Sequence, residues 1–153
     1  MAKESAFIEQ YLPYVLRRAD QALSASFYDV LAESNVGRSE WRVLAVLEDL
    51  GELSVLDLAE AALSPQPTVT HALRRLEERG FVRRTAGTND KRNRFVSITP
   101  SGSEVCRTLI GEARRLEQQA LVELGDIDDL VDQLHQLTDR VKQLQNFDDD
   151  MEA

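Results

Sequence analysis

A chain of 153 residues, 42% of them hydrophobic, is long enough for one domain with a helical extension and buries enough surface to need no disulfide or metal staple. Its single cysteine, Cys106, excludes an intramolecular disulfide and a Cys-only zinc site and points to a reducing, cytoplasmic setting; no run reaches the roughly 18 apolar residues of a membrane span, and residues 1–10, with Glu4 and Glu9, do not read as a signal peptide. The net charge of −9 argues against a general polyanion binder, yet residues 65–97 hold eight basic side chains against three acidic ones, which concentrates positive charge on one stretch.

In chain order, apolar residues at three- and four-residue intervals over 7–31 (Ile8, Leu12, Val15, Ala19, Leu23, Phe27, Val30) predict a long helix. Pro13 either kinks it or marks a second start, because it lacks a backbone donor. Gly37 breaks the chain, and Ser39 is the expected cap of a helix over 40–50. That helix is apolar on most of its surface (Trp41, Val43, Leu44, Val46, Leu47) and therefore central; Gly51 ends it. Ser54 and Asp57 form a capping-box variant opening a short helix to Leu63. Ser64-Pro65, a cap followed by a first-turn proline, starts the next helix, and Gly80 supplies the left-handed residue that closes it. Residues 81–85 and 94–98 read as two short strands joined by a polar turn. Thr99-Pro100 again gives cap and first-turn proline, for helices over 101–124 and 127–147 parted by Gly125-Asp126. In the last helix Ile127, Leu130, Leu134, Leu137, Val141 and Leu144 alternate intervals of three and four, the seam of a helix that packs on another helix. Residues 148–153 form an acidic tail expected to fray.

The helix ahead of the strands has two distinct faces. At 100 degrees per residue, Val69, Ala72, Leu73 and Leu76 fall within about 100 degrees of one another, while Pro67, Thr68, Thr70, His71, Arg74 and Arg75 face the other way. The second face offers hydroxyls and backbone amides for phosphates and base edges, and guanidinium groups for bidentate pairing with guanine. Glu77 and Glu78 sit at the far end, clear of DNA. In the hairpin tip, Arg92 is the expected minor-groove residue, aimed by Asp90 two positions earlier; Lys91 and Arg94 suit phosphates. Charge clustering by itself more commonly marks a solvated face, and Asp90 with Arg92 also fits a turn-stabilising surface ion pair worth at most about 1 kcal/mol.

The recognition-helix run Pro67-Thr-Val-Thr-His-Ala-Leu-Arg-Arg-Leu-Glu-Glu-Arg-Gly80, the following Phe81-Val82-Arg83-Arg84, and the segment Asp90-Lys-Arg-Asn-Arg-Phe-Val-Ser-Ile-Thr-Pro-Ser-Gly102 resemble MarR-family transcriptional regulators, the last through an Asp-x-Arg wing and a Leu/Ile-Thr-x-x-Gly helix start. The similarity runs over nearly the whole chain. It implies a mainly α fold: a winged helix-turn-helix with a two-stranded wing over 37–99, and a helical dimerisation region from both chain ends, 1–36 and 100–147, ahead of the acidic tail. It also implies a homodimer on a pseudo-palindromic operator in double-stranded DNA, with recognition helices in successive major grooves about 34–36 Å apart. A small-molecule effector, often an aromatic acid, is implied to weaken DNA binding from between the dimer region and the winged helix, which makes the chain a ligand-responsive repressor.

Phe7, Tyr11, Tyr14, Arg17, Arg18 and Trp41 are the candidates for an effector pocket, with rings to stack on an aromatic ligand and an arginine to pair with its carboxylate. Trp41 on an apolar helix also fits a core position, and the arginines a solvated one. Cys106, early in a helix and beside Arg107, is a candidate redox-sensing thiol as well as a small buried residue. His71 faces outward, and His135, its one possible histidine partner, is remote in sequence; DNA contact is expected of it, not metal binding. No phosphate loop, dinucleotide turn or nucleophile elbow occurs, so neither an enzyme activity nor a cofactor is expected. The rival from another class is a winged-helix protein-interaction module whose basic face meets an acidic partner. An arginine aimed at the minor groove would be idle in such a module.

Overall fold

In the computed structural model, which describes residues 6–86 and 94–151, the stretch expected as one N-terminal helix is two, α1 (Phe7–Gln10) and α2 (Leu12–Glu33). Pro13 sits in the first turn of α2, where its missing N–H leaves no intrahelical bond unmade, so it marks a second start and not a kink. Next comes α3 (Arg38–Leu50), capped by Gly37 and not by Ser39. A glycine has no side-chain acceptor to offer. The cap is instead completed from the other side, where the Gly37 N–H donates to Glu40 Oε2 at 3.2 Å.

Gly51, at φ 78°, ends α3 as the sequence indicates. It leads into β1 (Leu53–Ser54), a strand the sequence reading did not contain, since two residues are too few to show alternation. Ser54 then caps α4 (Val55–Ala61): its Oγ accepts from the Asp57 N–H at 3.1 Å and donates to Asp57 Oδ2 at 2.6 Å. The helix stops two residues before the expected end because Leu63 adopts a left-handed conformation, φ 50°. The next helix, α5 (Gln66–Glu78), is capped by Pro65 and carries Pro67 in its first turn. Ser64 is not its cap; the hydroxyl turns back to the Ala62 carbonyl at 3.1 Å. Gly80 at φ 72° closes α5. From there β2 (Val82–Ala86) and β3 (Arg94–Ile98) pair antiparallel from Val82↔Ile98 to Ala86↔Arg94, and β1 adds to the other edge of β3, so the sheet has three strands in the order β1-β3-β2.

Thr99 opens α6 (Pro100–Leu121), accepting from the Gly102 N–H at 3.1 Å while its own hydroxyl donates to the Gly80 carbonyl at 2.6 Å. The last helix, α7 (Asp128–Met151), continues four residues past the expected end; residues 146–151 contain no glycine or proline to stop it, so the acidic stretch through Met151 is helical backbone. Among the described residues no helix is long and apolar enough to cross a membrane.

The chain divides into two units, one ending at Glu117 and one beginning at Gln118. In the first, Val43, Leu44 and Leu47 of α3 meet Leu58 of α4, Val69, Leu73 and Leu76 of α5, Val82, Val96 and Cys106 in a single core. A second cluster gathers Phe27, Leu31, Val36 and Leu109. Trp41 packs against both, edge-on to Phe27 with ring centroids 5.0 Å apart. In the second unit none of the described side chains of α7 is buried: Leu130, Val131, Leu137, Val141 and Leu144 all stand exposed.

The start of α6 is seated by contact with backbone. A Cβ at the buried Gly102 would lie 2.1 Å from the Phe81 carbonyl oxygen, an atom fixed by the entry to β2. Gly102→Ala should therefore cost about 1–3 kcal/mol of stability, read as a fall of several degrees in the thermal midpoint. A variant that melts with its parent would show that this turn is not held against Phe81.

Candidate nucleic-acid interface

Core packing decides which side of α5 meets solvent. Val69, Ala72, Leu73 and Leu76 are buried, and Pro67, Thr68, Thr70, His71, Arg74 and Arg75 are exposed on the opposite side. Two open grooves flank the helix. One, of about 670 Å³, lies between α5 and β2 and is lined by Gln66, Thr70, Arg74, Glu77 and Arg84. The other, of about 420 Å³, lies between α5 and the start of α3 and is lined by Gly37, Ser39, Glu40, Thr68 and Arg75. Pro67 and His71 line both grooves and so form the crest between them. All six helix residues singled out from the sequence thus come together on one face.

The arginines on this face have different partners. Arg74 Nε lies 3.2 Å from Glu78 Oε1, one turn along the same helix, with both side chains mostly in water. A pair of that kind is worth at most about 1 kcal/mol. Arg75 Nε lies 2.9 Å from Oε1 of Glu40, a carboxylate that is almost wholly buried. Glu40 Oε2 is also 3.6 Å from Arg79 Nη1. Arg79 in turn donates to the Asn35 carbonyl at 2.6 Å, its guanidinium 4.6 Å from the centre of the Phe81 ring.

Arg84 lines the first groove from the sheet side. Its Nε is 3.3 Å from Glu77 Oε2 but makes no hydrogen bond among the described residues, and that nitrogen is buried. From the sequence Arg84 counts as positive charge, with no signal that it lines this groove. Counting two from Val82 along β2 puts both on the same side of the strand. Glu40 escapes notice for another reason: a cap at Ser39 would make it the first helical residue, and only with the cap at Gly37 does it become the third-position acid that reaches back.

Of the wing residues, Asp90, Lys91 and Arg92 lie outside the described residues. Arg94 begins β3 opposite Ala86.

A third cleft, of about 230 Å³, opens between α2, α3 and α6; Leu23, Phe27, Trp41, Ile110 and Arg114 line it. Trp41 is the one effector candidate that reaches it. Tyr11, at the N-cap of α2, and Tyr14, Arg17 and Arg18 along it are exposed and line none of the three cavities. Phe7 and Tyr11 stack on each other at 5.0 Å, and the Arg18 guanidinium lies 5.9 Å from the centre of the Tyr14 ring.

A sequence model of the MarR family matches residues 37–93, from the cap of α3 to the residue before β3. The homoprotocatechuate degradative operon repressor of Escherichia coli is 30% identical over 116 residues, 73% of this chain and 78% of that one. The crystal structure of a MarR family transcriptional regulator from Silicibacter pomeroyi DSS-3 superposes with a TM-score of 0.78 at 31% identity, over 90% of this chain and 99% of the other. The chain belongs to the MarR family.

Two further proteins extend the comparison. The transcriptional regulator FarR of Neisseria gonorrhoeae is 33% identical over 90 residues; the match takes in 59% of this chain and 62% of FarR, under two thirds of its length. NadR, solved in complex with 4-hydroxyphenylacetate, superposes with a TM-score of 0.70 at 27% identity, over 94% of this chain and 97% of that one. The family comprises DNA-binding transcriptional regulators of winged-helix fold, not enzymes.

In this MarR protein Cys106 is fully buried in the core of the winged helix. Burial first, and then the carboxylates of Glu48 and Asp49 against the opposing Arg107, push its thiol pKa up to about 11. A peroxide-sensing thiol needs the reverse, an accessible sulfur with a depressed pKa. Iodoacetamide at pH 8 should leave Cys106 intact in the folded protein and alkylate it fully in denaturant, as read by mass. Rapid alkylation of the folded protein would restore the redox reading.

Proposed function

We propose that this MarR protein is a homodimeric repressor that leaves a pseudo-palindromic operator when a small aromatic acid binds. The observation that carries the reading is the display of Thr68, Thr70, His71 and Arg74 on one outward face of a helix whose other face lies in the core. In this reading α5 enters the major groove. Pro67 allows close approach at its first turn, Thr68, Thr70 and His71 meet base edges and phosphates, and Arg74 exchanges Glu78 for a phosphate or a guanine. Arg84 adds positive charge where the DNA backbone passes between helix and hairpin. Lys91 and Arg94 hold phosphates beside the neighbouring minor groove, and Arg92, aimed by Asp90, enters it. A protein that acts on DNA in this way works in the cytoplasm.

The exposed apolar residues of α7, together with Phe7, Ile8, Leu12, Val15 and Leu16 at the other end of the chain, support a second copy as their cover. Residues 1–36 and 100–147 then form the dimerisation region and 37–99 the reading head. A two-fold dimer presents its heads to an inverted repeat.

For the effector, Phe27 and Trp41 offer rings to a single-ring acid and Arg114 a guanidinium to its carboxylate. NadR's complex with 4-hydroxyphenylacetate supports that ligand class. Tyr11, Tyr14, Arg17 and Arg18 line none of the three cavities, and in this reading a second copy brings them to such a site. Trp41 directly follows Glu40, which grips α5, so a ligand that shifts the start of α3 shifts the reading helix with it. The ligand need only favour a spacing of the heads that misses the grooves.

Arg92→Ala should weaken operator binding by about 1–3 kcal/mol while the variant sediments as its parent does; equal operator affinity for the two proteins removes Arg92 from the interface. Trp41 is the chain's single tryptophan, so its fluorescence reports the cleft. Titration with 4-hydroxyphenylacetate should change that emission saturably, reduce operator affinity, and have no effect in Arg114→Ala. Emission and affinity that ignore the acid refute the cleft as a site for this ligand class.

A further inference from the structure

Arg74 and Arg75 are neighbours on α5, yet their carboxylate partners differ in kind. The Arg74 and Glu78 side chains are 75% and 63% exposed, so water replaces either partner easily and a phosphate takes Arg74 by simple exchange. The partner of Arg75 is Glu40, whose side chain is 3% exposed. Glu40 Oε2 is occupied by the Gly37 N–H at 3.2 Å. Arg79, 3.6 Å from that same oxygen, is already held by the Asn35 carbonyl and the Phe81 ring, which leaves Oε1 to Arg75. If Arg75 left for DNA, Glu40 Oε1 would lose its donor in a recess that Arg75 now covers, a larger penalty than Arg74 faces in open water.

We propose that Glu40 sets how much of the recognition helix's positive charge DNA can use: it keeps Arg75 out of the phosphate-contacting set and so restrains binding to DNA of arbitrary sequence. This rests on the DNA-binding reading above and reassigns one residue within it. Arg75 becomes a positioning residue that ties the outward side of α5 to the capped start of α3. Thr68 and His71 line the same groove as that pair, so the tie fixes the rotation at which they meet DNA. Arg74 remains the exchangeable cation of this turn.

Counterion release makes the assignment measurable, because each phosphate contact adds about 0.9 to the slope of log affinity against log salt. The experiment compares the full-length parent, Glu40→Gln and Arg75→Ala on a random-sequence duplex between about 50 and 200 mM salt, with circular dichroism melts alongside. Glutamine keeps an acceptor for the Gly37 N–H and removes the charge that holds Arg75. Glu40→Gln should bind the random duplex more tightly with a slope about 0.9 steeper, an additional loss of about 3.5-fold across that range. Arg75→Ala should keep the parent's slope even where its affinity falls. A Glu40→Gln slope equal to the parent's, or an Arg75→Ala slope about 0.9 shallower, overturns the proposal; should Glu40→Gln fail to fold, Arg75→Ala decides alone. A parent whose affinity for duplex DNA is indifferent to salt overturns the DNA reading and this inference together.

Discussion

The burial of Val69, Ala72, Leu73 and Leu76 in the core they share with α3 governs what the recognition helix can show. The larger of these side chains each gain roughly 1.5–3 kcal/mol from full burial. Turning α5 by a single residue, about 100 degrees, would expose part of that stripe and drive polar or charged neighbours into the core. The orientation of the threonines, His71 and Arg74 is therefore a by-product of hydrophobic packing. The ionic contact between Glu40 and Arg75 sits at the polar margin of the same helix pair and removes the remaining freedom.

The central position of α3 follows from the same packing. Val43, Leu44 and Leu47 enter the winged-helix core, Trp41 reaches the cluster around Phe27, and Glu40 holds Arg75 and Arg79. A rigid helix in contact with both a cleft and the reading helix is the mechanical element a ligand-responsive regulator needs. Close packing makes such a contact switch between arrangements instead of yielding gradually.

Much of this was legible in the sequence because local patterns encode it. The 3.6-residue spacing of Val69, Ala72, Leu73 and Leu76 announces the two faces of α5, and Gly51 and Gly80 stop their helices where only a positive φ serves. Ser54 and Thr99 cap as their spacing indicates. The failures are also physical. Ser39 and Ser64 look like caps, but the extended backbone a cap requires falls at Gly37 and Pro65. Leu63 takes a left-handed conformation that its chemistry disfavours, so no residue signal marks the end of α4. The partners of Arg75 and Arg84 depend on which elements pack together, and Glu40 is too far along the chain from Arg75 for any periodicity to link them. Asp90, Lys91 and Arg92 rest on their sequence pattern alone.

The central claim is that two such heads read a two-fold symmetric DNA sequence. The measurement that tests it most directly is selection of fragments of the source organism's genome on the purified protein at physiological salt, followed by sequencing. The account predicts enrichment of a short inverted repeat whose half-sites lie about one helical turn apart. A folded protein that enriches no sequence, or enriches a single half-site without symmetry, would contradict it.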